Sequence, residues 1–524
     1  MTETSSPGSR EPREPPTAVT AVSQPVANPL LSAGRNSHTM VWLNAPPADP
    51  RDRVANEAAT SRWRRRRGGT ASCPFSPALP RDHANRWLIE RSTDAMLDIA
   101  LIRKNPEYVQ RALAKRAVHV DLDAFLQLDL DHRQARADVE RLRGQRKTIS
   151  GEIAKRQRAG EPVDALLAEA KTVGQALTDA EAHLAELEQA CRDFLDPLPN
   201  LPDDEVPAGG KENDEVVRIV GQVPEFGFVP KDHLQLADSL GLVDYERGTK
   251  LAGSGFWIYR GHGALLEWAL LNYFVEAHVR DGYEFLLPPH ILTYQAGYTA
   301  GQFPKFADEV LALEQGEHGP ERFLLPTAET ALVNLHRDET LAEAELPKKY
   351  FAYTPCYRKE AGGYRTAERG TLRGHQFNKV EMFQFTRPDD SAAAHAELLA
   401  KAEELVDRLG LHYRITHLAA GDTSAAMAKT FDVEVWLPSL GTYVEVSSVS
   451  NGRDYQARRG NIRYRPRQGK SGFVHTLNAS GLATSRLLPA ILEQHQQADG
   501  TVVVPDVLRK WVPSEVLAPP RPAR

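Results

Sequence analysis

Chemistry-bearing residues are densest in Tyr353-Thr-Pro-Cys-Tyr-Arg-Lys-Glu-Ala-Gly-Gly and in Gly374-His-Gln-Phe-Asn-Lys-Val-Glu-Met-Phe. Arg358 and Glu360 stand two apart on an expected strand, so they share a face. An arginine there can clamp a phosphate bidentately. The nearby carboxylate can accept from the amino group of a base, and Phe377 offers a ring for a base to stack on. Glu381 follows Phe377 by four residues, on the same strand face. Taken alone, an Arg-x-Glu pair is more often a surface ion pair of little energetic weight, so the reading depends on what accompanies it.

Three further clusters accompany it. In Val444-Glu-Val-Ser-Ser-Val-Ser-Asn, alternation puts Glu445 and Ser447 on one face and leaves Ser448 at the strand exit. A carboxylate with a hydroxyl suits a magnesium ion held between phosphates. In Thr476-Leu-Asn-Ala-Ser-Gly-Leu-Ala-Thr-Ser-Arg, small residues at an expected strand-to-helix junction let a ligand approach the backbone, and Arg486 can reach a terminal phosphate. Simple helix packing with a surface arginine is the bland alternative. In Leu325-Pro-Thr-Ala-Glu-Thr, Thr327 and Glu329 share a strand-like face. Glu329 and Glu381 together can hold an ammonium group, with Thr327 and Ser480 as polar contacts that favour a substrate hydroxyl.

The elements that must position these groups are mixed. Period and capping residues predict helices at 264–279, 391–409 and 481–497, and strands at 350–358, 378–386, 412–417, 431–437 and 442–448. Several of these strands alternate polar and apolar residues, as half-buried antiparallel strands do. There is no regular strand–helix alternation and no Gly-x-Gly-x-x-Gly or P-loop signature, so a nucleotide site must be built differently.

Residues 121–195 carry a different pattern. Leu166, Ala170, Val173, Leu177, Ala180, Leu184, Leu187, Cys191 and Phe194 recur at alternating steps of four and three, the seam of a coiled coil. Leu128, Ala135, Val139, Leu142, Ile149 and Ile153 keep the same spacing in the first half, with His132 and Arg146 on the seam as weak points. Gly160 suits a helix end and Pro162 the first turn of the next. The prediction is a projecting antiparallel hairpin with arms of about 30 residues, roughly 45 Å each. Its first arm bears Arg133, Arg136, Arg141, Arg143, Arg146, Lys147, Lys155, Arg156 and Arg158. Such a stretch is ordinarily a solvated face or a dimerising coil. Its clustering towards one arm and the tip favours phosphate contact.

The 524 residues allow two or three domains, and the net charge of −6 argues against RNA binding by bulk charge alone, though not by a local basic face. Cys73, Cys191 and Cys356 are too widely spaced for a zinc or disulfide framework, which suits the cytoplasm. No apolar run is long enough for a transmembrane helix. Residues 1–95 are rich in Pro, Ser, Ala and Arg with no persistent period, and read as a disordered or mis-annotated extension. Their acidic residues, Glu3 and Glu11 among them, disfavour a transit peptide. Met96 opens a globular pattern and is a plausible start.

In this order, the clusters resemble class II aminoacyl-tRNA synthetases. Gly282-Tyr-Glu-Phe-Leu-Leu-Pro-Pro is similar to motif 1, the segment around Arg358 to motif 2, and Asn478 through Glu493 to motif 3. Within the class, Thr327-Ala-Glu, His375-Gln-Phe-Asn-Lys-Val-Glu, Gln456-Ala-Arg-Arg, Asn478-Ala-Ser-Gly-Leu-Ala and the hairpin resemble the seryl-tRNA synthetase family. The resemblance implies an α+β fold, with an antiparallel catalytic sheet flanked by helices over 201–524 and a tRNA-binding domain over 96–200. It implies ATP and Mg2+, serine, tRNA(Ser) held by the hairpin (and tRNA(Sec) as a further substrate), and a homodimer with Pro289 at its contact.

The resemblance also implies roles by position. Thr327, Ala328 and Glu329 contact serine, and Glu381, Asn478 and Ser480 complete that pocket. Arg358 bridges the serine carboxylate and the α-phosphate, Lys359 and Glu360 line the ATP site, and Phe377 stacks on adenine. Glu445, Val446, Ser447 and Ser448 hold ATP, with Glu445 and Ser448 towards the metal, and Arg486 holds the γ-phosphate. The chain departs from the family pattern at Tyr364-Arg-Thr-Ala-Glu-Arg-Gly, at Val449 within Ser447-Ser-Val-Ser-Asn, and at Thr484-Ser-Arg. These departures bear on efficiency, acceptor-end handling and inhibitor sensitivity. A specialised or inhibitor-resistant copy, an amino-acid:carrier-protein ligase and a non-catalytic paralogue are the alternatives. The basic hairpin argues against the carrier-protein ligase, and the retained Arg358, Glu445 and Arg486 argue against the paralogue.

Overall fold

The structure is a computed structural model that describes residues 97–360 and 369–520. The expectations for residues 1–95, for a start at Met96 and for the substituted loop at 364–368 lie outside the described residues.

The hairpin forms from α1 (Leu122–Ala159) and α2 (Asp164–Leu195). Asp121 caps α1 by accepting from the Ala124 amide, and Gly160 ends it in the left-handed conformation, φ 71°. The first arm is longer than the expected 30 residues: it has 38, or roughly 57 Å at ~1.5 Å per residue. Pro162 lies just ahead of α2 rather than in its first turn, because Val163 occupies the cap position. Every residue predicted on the two seams is at least half-buried, and Val139, Leu142 and Leu177 form the central contact.

The two expected weak points behave differently. Arg146 is exposed, its long side chain turned out of the seam. His132 is buried and stands 3.9 Å from Glu188. One turn away, Asp129 is also buried, and its carboxylate accepts two bonds from Arg103, at 2.6 and 2.7 Å, and one from Arg133. Burial pushes the Asp129 carboxyl up, but these guanidinium groups outweigh it and hold it below the ordinary value. The hairpin base is therefore pinned by an ion pair that apolar periodicity does not reveal.

The rest of the chain is built on eight strands: β1 (Glu215–Val220), β2 (Glu284–Leu286), β3 (Lys348–Tyr357), β4 (Gln376–Thr386), β5 (Tyr413–His417), β6 (Lys429–Leu437), β7 (Thr442–Arg453) and β8 (His475–Ala483). Their spatial order is β1-β5-β6-β7-β8-β4-β3-β2, antiparallel throughout except where β2 joins β3 in parallel. Three helices, α3 (His262–Arg280), α4 (Ser391–Asp407) and α5 (Thr484–Gln494), share one core with the sheet. Along β4 the alternation is clean: Val380 and Met382 belong to that core, while Lys379 and Glu381 face the opposite side.

Two elements differ from the bounds that the sequence predicts. The helix expected at 481–497 begins only at Thr484, because residues 481–483 end β8. β8 is buried along nearly all its length, so it shows no period-two signal, and its small residues hid a central strand. β7 does not end near Ser448 but runs on to Arg453.

Candidate active site

The face of the sheet opposite the helices carries a cavity of about 510 Å³. Of the predicted residues, Thr327, Glu329, Arg358, Glu360, Glu381, Glu445, Ser448, Asn478 and Ser480 line it. They come from five segments far apart in sequence, which the fold brings side by side.

The Thr327–Glu329 segment is not strand-like as expected. Ala328 caps a short helix, Glu329–Leu332, and the Thr327 hydroxyl accepts from the Glu329 amide. The Glu329 carboxylate accepts from Gln456 Nε2 at 2.7 Å and from Asn478 Nδ2 at 3.4 Å. Burial first, and the Glu381 charge second, push its carboxyl up to about 7. Glu381 is fully buried and accepts from Asn478 Nδ2 at 3.1 Å and Ser480 Oγ at 3.4 Å. Asn478 thus bridges the two carboxylates, and its own Oδ1 is buried without a partner among the described residues.

The Glu445 cluster differs from the alternation argument. The pairing of β7 with β6 slips between Val433 and Glu434, so that Glu434 faces Glu445 while Val433 faces Ser447. Val446 is the extra residue of this bulge, so Glu445 shares a face with Ser448, three residues on, instead of with Ser447, and both line the cavity along with Ser450. Ser447 is turned away, its hydroxyl donating to the Ser480 carbonyl at 2.6 Å, and Val446 is in the core. Ser447 therefore braces β7 against β8 instead of facing a ligand.

Arg486 Nη1 donates to the Glu445 carbonyl at 2.8 Å and to its carboxylate at 3.1 Å. The Glu445 side chain keeps 44% of its surface open, yet the surrounding protein still withdraws water and pushes its carboxyl up; Arg486 and then Arg358 outweigh this and bring it below its ordinary value. Beside it, burial and the Glu445 charge push Asp432 well above the carboxylate range. Of this pair Glu445 carries the charge.

Arg358 lies just past the end of β3, exposed, with its guanidinium 5.3 Å from the centre of the Phe377 ring. Glu360 also lies beyond the strand, at φ 49°, and its carboxylate accepts from Arg373 Nε at 2.6 Å. Lys359 is exposed and does not line the cavity; its amide donates to the Glu309 carbonyl. Ala328 is buried in the core behind the wall.

Sequence reasoning missed Lys379. It is buried, lines the cavity and donates to the Thr327 hydroxyl at 2.7 Å. It stands two residues before Glu381 on one strand, and that spacing could have found it. Gln456, Gln302 and Ser424 were missed too; only Gln456 lay within a quoted motif.

Comparison with known proteins bears on this geometry. A family model described as the seryl-tRNA synthetase N-terminal domain matches residues 96–202. One described as the tRNA synthetase class II core domain (G, H, P, S and T) matches residues 313–495. The chain is 57% identical over 425 residues to a protein named Serine--tRNA ligase 2 from Clostridium acetobutylicum, covering 80% of this chain and 100% of that one. The chain belongs to the seryl-tRNA synthetase family. It is also 45% identical over 427 residues to Serine--tRNA ligase of Thermodesulfovibrio yellowstonii, with 80% and 100% covered. Among solved structures it is similar to seryl-tRNA synthetase from Pyrococcus horikoshii complexed with ATP, at TM-score 0.74 and 35% identity, covering 81% of this chain and 100% of that one.

Proposed function

We propose that this member of the seryl-tRNA synthetase family activates serine with ATP in the cavity and transfers it to tRNA(Ser). The observation that carries this reading is the Glu329–Asn478–Glu381 constellation beside Arg358. On this reading the Glu329 and Glu381 carboxylates hold the serine ammonium, and Glu381 and Ser480 meet its hydroxyl. A pocket with such groups selects for a hydroxyl better than an apolar one. The amino-acid:carrier-protein ligase reading is set aside, because the N-terminal domain match spans the hairpin.

In the first step a serine carboxylate oxygen attacks the α-phosphorus of ATP. The bond to the β-phosphate oxygen breaks and pyrophosphate leaves. No general base is needed, so catalysis is positioning plus charge stabilisation. Arg358 holds the carboxylate against the α-phosphate, Phe377 stacks on adenine, Lys359 and Glu360 sit at the ATP rim, and Arg486 takes the terminal phosphate. In the second step a hydroxyl of the terminal tRNA ribose attacks the serine carbonyl carbon and AMP leaves.

Glu445 and Ser448 are the residues that would hold Mg2+. The fit is sound: an ionised carboxylate and a hydroxyl open onto one cavity, and magnesium needs only one or two carboxylates with phosphates to complete its shell. Bound there, the ion supplies neutralisation of phosphate charge.

We assign residues 96–200 to tRNA binding and 201–524 to catalysis. Of the basic residues on α1, Arg136, Arg146, Lys147 and Arg158 have no acidic partner within 4.0 Å among the described residues, which leaves them for phosphates. We further assign a homodimer formed along α3 and β2, a reading supported by Trp268 at 56% and Leu287 at 71% exposure. A cytoplasmic location is supported by the free, buried Cys191 and Cys356. No described helix is long and apolar enough to cross a membrane.

The test is charging of a purified tRNA panel. Serine should be transferred to serine tRNAs, and to others only weakly. Transfer of serine to a carrier protein but to no tRNA would sink the reading.

A further inference from the structure

The turn that leads from the N-terminal helices into the hairpin contains Arg116. Helix Pro106–Ala114 ends there, and Ala117 adopts φ 56°, the left-handed conformation that reverses the chain. The Arg116 side chain crosses to the loop between β5 and β6. Nη1 donates to the carbonyls of Ala420 at 2.9 Å, Thr423 at 3.0 Å and Ser424 at 3.4 Å, and Nη2 donates to that of Met427. No carboxylate lies within 4.0 Å of it among the described residues, and its Nε is buried without a partner there. Burial pushes its pKa down to about 10, so it remains charged at neutral pH.

The loop it grips is a wall of the cavity: Ser424, Ala426 and Met427 line it. Ala426 and Met427 also belong to the core of the N-terminal region, with Leu122 and Phe125 from the first turn of α1 and Cys191 and Leu195 from the last turn of α2. The same side chains therefore touch the hairpin base on one side and the cavity on the other. Asn200, just past the hairpin, adds a second tie: its Nδ2 donates to the carbonyls of Ala426 at 3.0 Å and Gly452 at 2.8 Å.

A buried guanidinium that meets only carbonyls costs more in desolvation than an apolar side chain of the same size would. What it adds is geometry, since four carbonyls of one loop are fixed by a single rigid fork. We propose that Arg116 is a positioning residue that couples the hairpin to the cavity, so that tRNA loading the hairpin resets the 420–427 wall and changes how serine is held. This rests on the hairpin being the tRNA-binding arm.

The experiment is serine-dependent ATP–pyrophosphate exchange, with and without saturating serine tRNA whose terminal ribose has been oxidised so that it binds without accepting serine. In the native chain the tRNA should change the serine KM by about fivefold or more, the scale of an ordinary coupling between sites. In Arg116→Gln that response should vanish. Arg116→Lys keeps the charge but not the fork, so it should recover thermal stability without the response, and it carries the test if Arg116→Gln fails to fold. A purely structural latch would lower Tm and leave the response intact. A native-sized response in a folded Arg116 variant overturns the proposal, as does a native chain indifferent to tRNA. If a full-length Arg136→Glu, Arg146→Glu, Lys147→Glu chain keeps the native response and native tRNA affinity, the hairpin reading fails, and the Arg116 proposal falls with it for that separate reason.

Discussion

Lys379 and Glu381 meet on the cavity floor with the lysine ammonium 2.6 Å from Glu381 Oε2, both side chains less than a tenth exposed. Because Lys379 also donates to Thr327, one ammonium ties β4 to the loop that presents Glu329. The Thr327 loop and β4 therefore behave as one unit, and loss of either member should be felt in both stability and serine handling.

Glu381→Ala removes the carboxylate and strands a buried lysine. It should cost about 3 kcal/mol of stability, the scale for breaking a buried pair. It should lower kcat/KM for serine roughly 100-fold while leaving the ATP KM nearly unchanged. Thermal melts and pyrophosphate exchange read the two effects. A variant with native serine kinetics would remove Glu381 from the pocket.

The Glu329 carboxyl is held near 7, against an ordinary value of 4.5, chiefly by burial. With the folded value raised, the empty protein keeps a proton that the unfolded chain has released. Stability from this group is therefore full below pH 4.5 and declines as pH rises towards 7. A serine ammonium needs the ionised form. Accordingly kcat/KM for serine should rise between about pH 6 and 8, and Glu329→Gln should flatten that step. A native profile already flat over this range would contradict the assignment.

Arg486 reaches both the carbonyl and the carboxylate of Glu445. Arg486→Ala should raise the ATP KM about 10-fold or more and lower kcat, because a terminal phosphate loses its charge partner. Stability should change little, since the Arg486 and Glu445 side chains are each about a third or more exposed. Serine KM measured at saturating ATP should stay near native. A shift confined to serine would place Arg486 elsewhere.

Charge reversal at Arg136, Arg146, Lys147 and Arg158 should spare serine activation and reduce tRNA charging. The dependence of log tRNA affinity on log salt should become shallower by roughly 0.7 to 0.9 for each phosphate contact removed. Unchanged salt dependence would mean that the arm does not touch the backbone of tRNA.

What was legible in the sequence followed from regular periods. Residues from Leu128 to Phe194 marked the hairpin seam because a coiled coil repeats one contact. β4 was found because alternation survives there: Val380 and Met382 face the helices while Lys379 and Glu381 face the cavity. β8 was expected only as a lead-in to a helix starting at 481, and its last three residues were read as helical, because a strand buried on both faces does not alternate. Ser447 was placed wrongly because a bulge in β7 breaks the period of two, and only the partner strand β6 shows where. Asp129 and Arg103 were missed because their pairing crosses 26 residues of sequence. Of the site, the acidic and basic groups were legible as motifs. The clamp by Lys379 and the buttress by Gln456 needed the sheet order that brings β4, β8 and the Thr327 loop together.

Serine-dependent ATP–pyrophosphate exchange, run on the full chain against a panel of amino acids, tests the central claim most directly. Serine should support exchange, and threonine should do so at least about 10-fold less well, since the pocket must reject one added methyl group. Alanine, which leaves Glu381 and Ser480 without a hydroxyl partner, should be weaker still. No exchange with serine, or exchange equally strong with alanine, would contradict the account.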